Sequence, residues 1–174
     1  MGKVLTVLLL VCAIAGGIFM YYQQVYAYYY EVKPNGRSDV QATLLTTGTP
    51  EPMVYEDFRA IDADSSPIRY RACFTTPMSL GQMSKTYVPD ADAVPLTAPR
   101  WFDCFDAKEL GAAIEDGTAL AFLGTENVEY GIDRIVAVRD DGRGWAWDQI
   151  NRCGAIVFDG KPAPDDCPPA PKGY

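Results

Sequence analysis

The sequence predicts an α+β architecture: an N-terminal transmembrane helix, then a small, disulfide-stapled domain with a mainly antiparallel sheet and one packed helix. Three observations lead there. Residues Val4 to Tyr30 carry no charge. Beyond them, short alternating runs separated by turn signals surround one well-capped helical segment. Four cysteines, Cys73, Cys104, Cys153 and Cys167, all lie in that second part.

A chain of 174 residues with 48% hydrophobic content suits one ordinary domain plus a short appendage. The division falls between residues 1–30 and 31–174. Within the first part, Val4 to Met20 is almost wholly apolar. Since ~20 helical residues cross a hydrocarbon core of ~30 Å, Val4 to about Gln24 suffices for a span. Tyr21, Tyr22, Tyr26, Tyr28, Tyr29 and Tyr30 follow where an aromatic belt belongs, because their rings are apolar and their hydroxyls seek water. Lys3 precedes the span and Glu31 is the first charge after it. That asymmetry predicts a single-pass protein of the bacterial inner membrane, its N-terminus cytoplasmic and its domain periplasmic. Ala13, Gly16 and Gly17 would let another helix approach, or are simply the small residues common in spans.

A cleaved signal peptide is the competing reading, with Val25-Tyr26-Ala27 as the processing site. Against it, the apolar core exceeds the usual ~7 to 15 residues, and cleavage would leave a terminus of three tyrosines. A lipoprotein reading at Cys12 fails because Val11 stands where a small residue is needed.

Cys12 falls inside the span, so the exported cysteines form an even set that allows three pairings. Spacing suits Cys73 with Cys104 and Cys153 with Cys167, each closing a proline-rich loop worth ~3 to 4 kcal/mol in the chain-entropy model. A zinc site is the alternative, but no pair has CxxC spacing and the chain has no histidine. Buried free thiols would be expected in a cytoplasmic domain. Asn35, Asn127 and Asn151 head no glycosylation sequon, which fits a bacterial periplasm.

Along the domain, Pro34-Asn35-Gly36 is a turn that separates anchor from fold. Val40 to Thr46, Tyr55 to Asp62 and Ile68 to Thr75 read as strands. Residues 76–100 contain Pro77, Pro89, Pro95 and Pro99 and no sustained periodicity, so they read as a long insert. Loops beyond ~12 to 15 residues are often functional, which makes this insert a candidate contact surface. Asp106 caps the one soluble helix, with Glu109 completing a capping box, Gly117 as the stop, and Leu110, Ala113 and Ile114 on the buried face. Strands at Ala119 to Gly124, Gly131 to Val138 and Gly144 to Ile150 follow, the last two joined by the Asp140-Asp141-Gly142-Arg143 turn. The Pro-rich tail, residues 159–174, should run extended, pinned by Cys167.

The formal net charge is -8, and about -9 once Lys3 is set aside with the anchor. Nucleic acid is therefore disfavoured as a partner. The absence of histidine removes the commonest general base, zinc ligand and haem ligand, and with them Ser-His-Asp and Cys-His nucleophilic sites. Asp62-Ala-Asp64-Ser-Ser66 starts like a calcium loop but meets Pro67 and Cys73 where Gly and Glu are required. Asp90-Ala-Asp92 runs into Val94 and fails too. No catalytic, cofactor or metal motif is left. Trp145 and Trp147 share one strand face, and Trp101 lies beside Cys104. They form either a ligand platform or ordinary core packing against the disulfides.

Three functional readings follow. The first is a non-enzymatic accessory or interaction protein of a membrane complex, touching a protein partner through the insert. The second is a periplasmic small-ligand binding module using Trp101, Trp145 or Trp147. The third is a carboxylate-dependent hydrolase, for which no particular acid stands out.

With the anchor, Arg69-Tyr70-Arg71-Ala72-Cys73-Phe74, Trp101-Phe102-Asp103-Cys104-Phe105-Asp106 and the run from Phe158-Asp159-Gly160 to Cys167-Pro168-Pro169 read together, the chain resembles a family of small uncharacterised single-span envelope proteins of alphaproteobacteria. The resemblance covers nearly the whole chain. It implies a compartment and a single-domain build, and brings no assigned activity or functional residues.

Overall fold

The computed structural model describes residues 2–171. The chain divides into two compact units, one up to Tyr30 and one from Glu31. The first is dominated by α1 (Gly2–Val25), an exposed helix whose best 18-residue window has a mean hydropathy of 2.5. It is long and apolar enough to cross a membrane, by the same criterion that a signal sequence satisfies. Cys12 on it is a free, exposed thiol. At its end Tyr22 and Tyr26 stack, their ring centroids 5.9 Å apart.

The second unit is built on a six-stranded sheet of β1 (Tyr30–Val32), β4 (Glu56–Asp62), β5 (Arg71–Thr75), β8 (Arg143–Ile150), β7 (Ile132–Arg139) and β6 (Ala119–Glu129), in that spatial order. From β4 onward every neighbouring pair is antiparallel. A small second sheet pairs β2 (Gln41–Thr43) with β3 (Pro50–Pro52). Strand β2 is thus shorter than the expected Val40 to Thr46, because the chain turns over residues 45–47 and Gly48 (φ +66°). Strand β6 is longer than expected, because bulges after Leu123 and Thr125 carry the chain on to Glu129.

The central strands are buried on both sides, so side chains alternate between two apolar layers rather than between core and water. One face presents Ala72, Phe74, Val136, Val138 and Ala146. Gly144 belongs here because the Phe74 ring lies where its Cβ would stand, 2.2 Å from the nearest ring atom. The β2–β3 hairpin covers this face, with Val40, Ala42 and Met53 in the same core cluster. Thr43 ties the hairpin to the sheet by donating a 2.9 Å hydrogen bond to the Gly124 carbonyl.

The 76–100 segment differs from the expected loop. It contains α2 (Leu80–Thr86), capped by Ser79 and Gln82 in a reciprocal capping box. Met83 and Tyr87 are fully packed, at 0% and 5% exposure. Two large apolar residues, Leu80 and Met83, in a seven-residue helix are too few for a helical period to show, and the flanking prolines mask the rest. Bridges from Tyr87 to Leu44 and from Pro89 to Phe122 then tie the segment to both sheets.

The other face carries Cys73, Ile135, Ala137, Trp145 and Trp147. Against it lies α3 (Ala107–Glu115), the expected helix, burying Leu110 and Ala113 with Ile114 half-buried. Asp106 caps it as anticipated, accepting from the Lys108 and Glu109 amides. The anticipated capping box does not close: the Glu109 carboxylate turns to Arg139 instead. The domain therefore holds α2 and the C-terminal α4 (Arg152–Phe158) besides the one helix expected. Helix α4 starts where Gly154 meets Gly131 back to back, and a Cβ on Gly154 would come within 2.2 Å of the Gly131 carbonyl oxygen.

Both disulfides pair as the spacing suggested, Cys73 with Cys104 and Cys153 with Cys167. The second pins the tail to α4, assisted by an Arg152–Asp166 ion pair and by Tyr130, whose hydroxyl donates to the Pro168 carbonyl at 3.0 Å. Residues 172–174 of that tail lie outside the described residues.

Candidate functional site

A cavity of about 350 Å³ opens between α3 and the face of the sheet over its central strands β5 and β8. Its walls follow from strand register. Cys73 stands opposite Trp145 across the β5–β8 pair, so the Cys73–Cys104 disulfide and the indole share one wall. Leu110 and Ala113, one turn apart on α3, supply the facing apolar wall. Trp145 is 7% exposed and is oriented by its indole N–H, which donates to the Cys104 carbonyl at 2.9 Å.

Charges of both signs rim the opening. Arg139 and Arg143 flank the β7–β8 turn and point to the same side of the sheet. Arg139 donates to Glu109 Oε1 at 3.0 Å, while Arg143 Nη2 stands 3.9 Å from the same oxygen, beyond hydrogen-bond reach. Arg143 is held from behind by Asp141, at 2.9 Å, and its guanidinium lies 5.6 Å from the centre of the Trp145 ring. Across the opening, Arg59 pairs with Asp103 at 3.1 Å and leans on the Phe102 ring. Asp57, at the β4 bulge with φ +53°, accepts from the Thr75 hydroxyl at 3.3 Å.

A second polar cluster is structural. Arg134 and Asp148, opposite each other on β7 and β8, form a bidentate pair at 2.7 and 3.0 Å. The Arg134 guanidinium stacks 3.5 Å from the centre of the Tyr70 ring. Burial pushes the Asp148 carboxyl above the ordinary carboxylate range, and the Arg134 and Arg71 charges only partly offset it. Burial likewise raises Asp62, which lies within electrostatic reach of the same pair. Arg71, 4% exposed, spends its guanidinium on backbone carbonyls of Ile68, Tyr70, Leu96 and Thr97. It thereby fixes the Pro95-Leu96-Thr97 stretch to the sheet.

Of the three tryptophans singled out from sequence, only Trp145 lines the cavity. Trp147 shares its face but is fully buried, packing edge-on to Phe105 and donating to Gln149. Trp101 stands edge-on to Phe102 outside the cavity lining. Arg139 drew no attention in the sequence, and Glu109 and Arg143 stood there only as cap and turn residues. Strand alternation on either side of the Asp140–Gly142 turn places both arginines on the tryptophan face, which was a usable signal. Among the described residues no group of three or more His, Cys, Asp or Glu side chains is placed to hold a metal ion, the Asp62–Ser66 run included.

Fold and site together define a two-disulfide α+β domain with a mixed-charge cavity, preceded by a long apolar helix. Residues 40–168 match the model of a family of unknown function, DUF6446, and the chain belongs to that family. The matched span holds both disulfides and every cavity residue, and starts after the apolar helix. No curated protein and no solved structure matches the chain.

Proposed function

We propose that this is a single-span protein of the bacterial inner membrane, N-terminus cytoplasmic, whose periplasmic domain is a non-enzymatic accessory of a membrane complex. Support for the placement comes from α1, from the Lys3/Glu31 charge asymmetry and from two disulfides, which persist in oxidising compartments. The alphaproteobacterial resemblance points the same way. What carries the non-enzymatic reading is the use made of the acids around the cavity. Asp103 and Glu109 are paired with arginines, Asp106 caps α3 and Asp57 accepts from Thr75, so each carboxylate already has a structural partner. The acids raised by burial, Asp62, Asp90 and Asp148, do not line the cavity.

The partner contact assigned to residues 76–100 narrows to their exposed half, where Val94 is 62% exposed while Gln149 holds its amide. A photoreactive residue at position 94 of the full chain, activated in native membranes, should yield one dominant crosslinked partner that co-purifies in gentle detergent. A crosslinking pattern no different from that of a probe at Lys161, an exposed position in the C-terminal tail, would remove this contact from the proposal.

A second reading, a small-ligand binding module, is favoured by one observation. The cavity is enclosed on one side by Trp145 and the disulfide, and its 350 Å³ falls at the small end of the ~300 to 1,000 Å³ typical of ligand pockets.

A further inference from the structure

The two arginines at the mouth of the cavity face a carboxylate that belongs to the protein itself. Glu109 Oε1 lies 3.0 Å from Arg139 and 3.9 Å from Arg143, so a single oxygen lies between two guanidinium groups and satisfies only one of them. Guanidinium forks bind carboxylates best in bidentate fashion, and this one is bound at one point by one arginine. Glu109 is also 59% exposed and sits on a helix facing the sheet, free to swing outward without disturbing the cap that Asp106 provides. Behind the arginines come the apolar groups Trp145, Leu110, Ala113 and the Cys73–Cys104 disulfide; Asp57, Arg59, Asp103 and Asp106 complete the lining, and each of these carboxylates already has a partner in Thr75, Arg59 or the α3 amides.

From this arrangement we infer that the cavity binds a small organic acid with an apolar body, its carboxylate held by Arg139 and Arg143 after displacing Glu109, its body against Trp145. The inference rests on the ligand-module reading. Glu109 is then an internal competitor that keeps Arg139 paired until the ligand's carboxylate takes its place. Asp141 fixes Arg143 from behind, at 2.9 Å, so that its outer amine stays aimed at the opening. The Arg59–Asp103 pair at the far rim limits the length of body the cavity admits. An amine with the same body meets two guanidinium charges at the mouth, while Asp57, Asp103 and Asp106 are engaged by Thr75, Arg59 and the α3 amides, so selectivity between acid and amine reports on the clamp.

The test uses the full chain in lipid nanodiscs, titrated with phenylacetate and, as its cationic counterpart, phenethylamine. Calorimetry gives affinity and tryptophan fluorescence reports on the cavity. Phenylacetate should bind and phenethylamine should not. Glu109→Gln should tighten phenylacetate binding about fivefold, as expected for removing one exposed competing ion pair. Arg139→Ala with Arg143→Ala should abolish it. Should the double variant fail to fold, the wild-type acid-over-amine preference and the gain in Glu109→Gln still decide. Equal binding of acid and amine, unchanged affinity in Glu109→Gln, or no binding of phenylacetate to either protein each overturns the inference. A crosslinked partner at position 94 would survive any of those results, since that contact lies outside the cavity.

Discussion

The hydroxyl of Tyr55 donates a 2.5 Å hydrogen bond to the carboxylate of Asp39, which also accepts from the Asn35 and Gly36 amides. This clamp closes the Pro34–Asp39 turn at the entrance to the domain. Burial pushes the Asp39 carboxyl up, but the hydrogen bonds from Tyr55, Asn35 and Gly36 outweigh it and hold the group below its ordinary range. Burial and the Asp39 charge push the Tyr55 phenol the other way, to about 12.

The pair therefore stabilises the fold on both sides of neutrality. A depressed Asp39 contributes stability that is complete above the unfolded value of ~3.9 and disappears as pH falls through its lower folded value. A raised Tyr55 contributes stability that is complete below ~10 and disappears as pH rises through about 12. Melting temperature against pH should fall less steeply on the acid side in Asp39→Asn and less steeply on the alkaline side in Tyr55→Phe. Unchanged limbs in both variants would show that the clamp carries no stability.

Breaking the Arg134–Asp148 pair from one side leaves a charge in a site only 4% exposed at Asp148. Arg134→Ala is expected to cost about 3 kcal/mol in chemical denaturation. The double change Arg134→Met with Asp148→Leu should recover most of that loss, because an apolar pair avoids the desolvation penalty altogether. A double variant as unstable as the single one would mean that the pair contributes more than its own neutralisation.

Gly154→Ala should cost about 1 to 3 kcal/mol, because the Gly131 carbonyl leaves no room for the methyl group and the α4 turn must move. Ala155→Gly next to it, on an exposed position, should cost no more than about 1 kcal/mol. Denaturation midpoints for the two variants decide the matter, and equal losses would contradict the close approach.

Replacing Cys153 and Cys167 with Ser opens a loop of 14 residues, and replacing Cys73 and Cys104 opens one of 31. The chain-entropy model assigns ~3 and ~4 kcal/mol to these bridges. Only loss of the second should change Trp145 fluorescence, since Cys104 carries the carbonyl that orients the indole. An equal spectral response to both would argue against that placement.

Much of this fold is legible because its signals are local. The Asp106 cap, the Asp140–Gly142 turn and the proline-rich loops around each cysteine pair need only a few neighbouring residues to be recognised. Helix α2 and the β2–β3 hairpin were less legible because they are held by partners far along the chain, Thr43 by Gly124 and Tyr87 by its ring contact with Phe122. The site was legible in part. Trp145 stood out as an aromatic, whereas Glu109 looked like a capping residue until β7 and β8 brought two arginines to it.

The position of β8 has a further consequence. It lies in the middle of the six-stranded sheet although it is the last strand in sequence. A chain emerging with its N-terminus first can form the β4–β5 hairpin and later the β6–β7 hairpin, but these remain separate leaflets, each with an open edge, until residues 143–150 arrive to join them. Closure of the sheet therefore waits for its last strand. Any product that stops short of Arg143 would present two unpaired strand edges, the usual starting point for aggregation and for capture by quality-control proteases.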